Sequence, residues 1–85
     1  METTPTPRLE YDPEADALYI YLHEGVPFDH TTSDIDRSCN VDYGADGVPI
    51  GVEFWNVHRG LGLDGVPERE TVLRLLEEHQ FKVFA

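Results

Sequence analysis

The stretch Asn40-Val41-Asp42-Tyr43-Gly44-Ala45-Asp46-Gly47-Val48-Pro49-Ile50-Gly51-Val52-Glu53-Phe54-Trp55 decides how the rest of the chain is read. Val41 and Tyr43 alternate with Asn40 and Asp42. After the glycines, Val48, Ile50, Val52 and Phe54 alternate with Pro49, Gly51, Glu53 and Trp55. A period of two is the mark of half-buried strands. Asp46-Gly47 provides the tolerance of positive φ that a short hairpin turn requires. The spacing predicts two antiparallel strands turning at Gly44 to Gly47. Asp42, Asp46, Gly47 and Glu53 also fall at the first, fifth, sixth and twelfth positions of a calcium-binding EF-hand loop. However, Gly44 stands where an acidic or amide ligand is needed, and a strand pattern, not a helix, precedes the loop. A hairpin explains every residue, so no metal or other cofactor is expected.

Upstream, Met1 to Pro7 reads as a flexible tail, with prolines and threonines but no apolar anchor. Residues 8–85 read as a single small α+β domain. Arg8 to Tyr11 is a first strand, followed by a turn through Asp12-Pro13-Glu14-Ala15-Asp16. Leu18 to Leu22 is a second strand. Leu18, Ile20 and Leu22 share one face, and Tyr19 and Tyr21 the other. Both faces are apolar or aromatic, so this strand is buried on both sides or lies at an interface. Thr31 to Tyr43 alternates, with Arg37 the exception, and reads as a third strand. Ile35, Cys39, Val41 and Tyr43 form its apolar side, and Asp34, Asp36 and Asp42 its wet acidic side.

Downstream, Asn56 to Gly65 is a Gly-rich connection. Pro67 suits the first position of a helix. Val72, Leu73, Leu75, Leu76 and His79 form its apolar stripe, ending near Gln80. Phe81 to Phe84 is β-prone and suits a last edge strand. The expected architecture is a small antiparallel sheet, a meander of about four strands, with one C-terminal helix packed on one face. That helix and sheet bury each other in so short a chain, Val72, Leu75 and Leu76 meeting Ile20, Val41, Ile50 and Val52.

The chain has 85 residues, with 17 acidic against 6 basic, for a net charge of -11. Such a charge repels nucleic acid and anionic membranes and favours cations and basic proteins. The start of the chain lacks the apolar core of a signal peptide, and a cytoplasmic location is expected. The single Cys39 excludes an intrachain disulfide and any C-x-x-C motif. It falls on an apolar face, where a thiol is inert. The four histidines, His23, His30, His58 and His79, show no metal-ligand spacing. No catalytic residue is assigned.

The segment Tyr11-Asp12-x-Glu14-x-Asp16-Ala17-Leu18-Tyr19-Ile20, the turn Asp46-Gly47 and the later Gly51-Val52-Glu53 resemble a small bacterial family, the domain of unknown function numbered twenty-two eighty-three. The resemblance spans Leu9 to Trp55. It implies a compact β-rich fold without an established activity. It also implies a role as one half of a two-gene module such as a toxin–antitoxin pair.

Three functions are therefore weighed, the last of them a structural domain with no activity of its own. The first is a non-enzymatic interaction module that self-associates as a homodimer, with Tyr19, Tyr21 and Trp55 at the contact, or that neutralises a basic partner. The second is a metal-binding protein or enzyme using Asp34, Asp36, Glu53 and His58.

Overall fold

The computed structural model describes residues 6–36 and 39–84, the side chains of residues 33–36 excepted. Five strands form one antiparallel sheet: β1 (Arg8–Asp12), β2 (Ala17–Tyr21), β3 (Phe28–Asp36), β4 (Cys39–Gly44) and β5 (Pro49–Trp55). One helix, α1 (Arg69–Glu78), follows. The expected α+β class stands, with five strands in place of about four. The strand read from Thr31 to Tyr43 is two strands, because the chain reverses between Asp36 and Cys39 to pair β3 with β4. The reversal pairs Asp36 with Cys39, two positions that one unbroken alternation would set on opposite faces, so the single-strand reading does not carry across it.

The strand order is β1-β2-β5-β4-β3, which is not a simple meander. Two local units, the β1–β2 hairpin and the β3–β4–β5 meander, join where β2 pairs with β5. The connection from β2 to β3 therefore passes the end of the β4–β5 hairpin. The Leu22 and His23 amides donate to the Ile50 carbonyl there, at 2.7 and 3.1 Å. Gly44 makes room for the passage, since a Cβ on it would come within 2.6 Å of the Val26 side chain.

The decisive stretch folds as expected. The Gly47 amide donates to the Gly44 carbonyl at 3.0 Å, and Gly47 has φ 80. Strands flank the loop on both sides, so its carboxylates sit on a hairpin and not in a helix–loop–helix. One expectation fails within it. Tyr43 pairs with Pro49 and Asp42 with Gly51, which leaves Ile50 as an extra residue in a bulge. A bulge re-aims the side chain it inserts, and Ile50 stays outside the core.

The core lies between one sheet face and the segment after β5. Leu18, Ile20, Val41, Val52 and Phe54 from the sheet meet Val72, Leu75 and Leu76 from α1. Four features here depart from the sequence expectation. The helix starts at Arg69, two residues beyond Pro67, with Glu68 at its N-cap in a left-handed conformation. His79 does not join the apolar stripe; it stands exposed at the C-cap, its ring at 2.8 Å from the Leu75 carbonyl. The connection after β5 is also more than a linker. It contains a 3₁₀ turn, Val57–Arg59, and it buries Val57, Leu61, Leu63 and Val66. Phe81 to Phe84 adds no edge strand to the sheet. Instead Val83 bridges Leu61, and the Phe84 amide donates to the Leu61 carbonyl at 2.7 Å.

Candidate functional site

Alternate residues of the same strands build the opposite face of the sheet. Antiparallel partners lie side by side on one face, so the register arranges two rows. Arg8, Tyr21, Gly51, Asp42 and Thr31 form one row across β1, β2, β5, β4 and β3. Glu10, Tyr19, Glu53 and Asn40 form the next. Trp55, paired with Ala17, falls on the same face. Tyr19, Tyr21 and Trp55 are each half-buried. Helix α1 and the connection before it lie on the other side, so among the described residues neither covers these rings.

Tyr19 lies over Gly51. A Cβ at Gly51 would come within 2.2 Å of the Tyr19 hydroxyl, so a glycine is needed under the ring. From there the Tyr19 hydroxyl donates to Asp42 Oδ2 at 2.7 Å. Thr31 donates to the other Asp42 oxygen at 2.6 Å. Burial, and then the Asp42 carboxylate, push the Tyr19 hydroxyl well above its ordinary pKa, so it remains a donor. Tyr21 meets Tyr19 edge-on, with centroids 4.7 Å apart.

Beside this pair Arg8 makes a complete cation-binding arrangement. Its guanidinium carbon sits 3.8 Å from the centre of the Tyr21 ring. Its Nη1 donates to Glu10 at 2.8 Å and its Nε to Glu24 at 2.8 Å. The Tyr21 hydroxyl donates to the second Glu10 oxygen at 2.9 Å. The Arg8 bond, then the Tyr21 bond, hold the Glu10 carboxyl below the usual carboxylate range. A groove of about 540 Å³ opens next to this arrangement, bordered by Glu10, Asp12, Tyr19 and Glu53. Asp12 also receives the Glu14 amide at 3.0 Å, which closes the β1–β2 turn.

A second constellation joins that turn to the 3₁₀ turn. Asp16, at φ 52, accepts the His58 amide at 3.2 Å and bonds the His58 Nδ1. The Asp16 carbonyl receives the Val57 amide at 3.2 Å. Tyr11 contributes a hydroxyl at 3.4 Å from Asp16 and stacks edge-on against Phe81. The His58 bond holds the Asp16 carboxyl below its usual range. Asp16 thus fastens residues far apart in sequence. Sequence reading saw His58 on a loop but did not see this partner, because 42 residues separate the two.

Of the residues proposed for a metal or acid–base site, Glu53 and His58 have described side chains, and these have separate settings. Glu53 pairs with Tyr19 in mid-strand, whereas His58 is held by Asp16 beyond the strand end. Asp34 and Asp36 lie on the edge strand β3, and the placement of their side chains falls outside the described residues. Among the described residues no three His, Cys, Asp or Glu side chains are grouped to hold a metal ion. Cys39 is buried, as its place in the alternation predicts. The tail at Met1 to Pro7 also lies outside the described residues, except Thr6 and Pro7. Among the described residues no helix is long and apolar enough to cross a membrane.

Residues 8–58 match the family model described as a protein of unknown function (DUF2283). That is more than half of the chain, and the match runs from the first residue of β1 to the histidine held by Asp16. The chain belongs to this family. Comparison with curated proteins and with solved structures gave no match. Within the family segment lie all five strands, both rows of the open face and the Asp16–His58 link. Helix α1, which covers the apolar face, lies beyond it.

Proposed function

We propose that this member of the family is an interaction module that docks a protein on the open face of its sheet. One observation carries the reading: Tyr19, Tyr21 and Trp55 stand half-buried on the face that the helix leaves uncovered. Aromatic rings with polar tips are enriched at interfaces, where they bury area at low cost in side-chain entropy. The polar groups around them are already tied across strands, which makes the surface preorganised. Homodimerisation and capture of a basic protein, as by an antitoxin, are the two forms of this reading. The protein then acts from the cytoplasm as a non-enzymatic partner.

Sedimentation equilibrium and affinity purification from the native cell test it together, with wild type beside Tyr21→Glu and Trp55→Ala. Association or a reproducible partner that is lost in both variants, while circular dichroism holds, is the expected result. A wild-type chain that stays monomeric at high concentration and moderate salt and retains no partner overturns the reading.

A further inference from the structure

The open face already displays what it recognises. The Arg8 guanidinium lies over Tyr21 and is clamped by Glu10 and Glu24. One strand position away the same chemistry repeats, with no cation of the described residues on it. Tyr19 and Glu53 are cross-strand partners, Asp12 and Glu10 border the groove beside them, and the groove measures about 540 Å³. Glu53 borders the groove, and among the described residues its carboxylate receives no side-chain hydrogen bond.

We propose that the sheet's open face docks an arginine-rich segment of a partner protein, with one guanidinium entering the groove against Tyr19, Glu53 and Asp12. The proposal rests on the reading of this face as a docking surface, and it names the occupant. Charge complementarity selects that occupant. The chain carries a net charge of -11, and Glu10, Asp12, Asp42 and Glu53 all surround the aromatic rings. A second copy laid face to face would set these carboxylates against their own duplicates. A cationic segment neutralises them and is drawn in over long range. Arginine suits the groove better than lysine. Its planar group stacks on a ring while its fork donates to carboxylates on either side, as Arg8 does on Tyr21.

A fluorescently labelled peptide of arginines alternating with glycine and serine, titrated onto the full chain by anisotropy, tests this. The lysine version of the peptide serves as the comparison. The arginine peptide is expected to bind more tightly than the lysine one, and salt is expected to weaken both. Glu53→Gln should weaken arginine-peptide binding about three- to tenfold. Glu77→Gln removes the same charge from exposed helix surface and should leave binding unchanged. A peptide that does not bind, or equal losses in Glu53→Gln and Glu77→Gln, overturns the proposal, because the net field alone then explains any binding. Self-association that Tyr21→Glu abolishes, in a chain that ignores the peptide, sinks the arginine proposal while the docking face survives. A monomer that ignores the peptide and retains no partner sinks both.

Discussion

The two faces of one sheet are held by different physics. On the covered face Leu18, Ile20, Val41, Val52 and Phe54 are buried beneath α1 and the connection that precedes it. Their contribution is burial of apolar area, which is non-directional and barely responds to pH or salt. On the open face Thr31, Asp42 and Tyr19 form one chain of hydrogen bonds, and Tyr21, Glu10, Arg8 and Glu24 another. Their contribution is directional and partly solvated, hence smaller per residue and sensitive to charge. The covered face makes the fold stable. The open face keeps its side chains in fixed positions without needing them for the core, and that leaves it available for a partner.

This contrast can be broken most forcefully at α1. Leu76 is fully buried, so Leu76→Ala should cost about 2–5 kcal/mol in denaturant unfolding. A change within error would show that the helix does not cover the sheet. Gly51→Ala attacks the open face through sterics. The new methyl would meet the Tyr19 ring, and displacing a ring that is also bonded to Asp42 should cost about 1–3 kcal/mol. A neutral result would mean that Tyr19 does not lie over the strand. Tyr19→Phe keeps the ring and removes only the bond to Asp42, which retains Thr31 as a donor. The expected loss in the same assay is about 1 kcal/mol. A loss as large as that of Leu76→Ala would erase the distinction between the faces.

The smallest effect is one that acid abolishes. The Asp16 carboxyl titrates below its ordinary value because His58 bonds it. A depressed folded-state pKa contributes stability above the unfolded carboxylate value, about 3.9, and that contribution disappears as the pH falls through the folded value. Asp16→Asn should therefore lower the melting temperature near neutral pH and converge on wild type in acid. Parallel melting curves at every pH would show that the Asp16–His58 link adds nothing to the folded state.

How legible the molecule was depends on the range of each contact. The Asp46-Gly47 turn and the alternation of Val41, Val52 and Phe54 are local, and the hairpin forms where they place it. The division of Leu18, Ile20 and Leu22 from Tyr19 and Tyr21 is likewise local, and the burial follows it. The reversal between Asp36 and Cys39 was missed because the alternation was read through its one exception, Arg37, as a single strand. The burial of Leu61, Leu63 and Val66 was hidden because their segment has neither period. The Asp16–His58 link and the Tyr11–Phe81 contact were hidden because their partners lie far along the chain.

By itself the sequence determined the α+β class, the central hairpin, the apolar stripe of Val72, Leu75 and Leu76, and the acidic charge. These depend on propensity, period and composition, which each short stretch carries alone. Only the tertiary structure decided the order β1-β2-β5-β4-β3, the bulge that turns Ile50 out of the core, and the rows that set Arg8 over Tyr21 and Tyr19 over Gly51. The physical reason is register. A shift of one residue between strands exchanges the faces of every side chain, and nothing within a single strand specifies which neighbour it will meet.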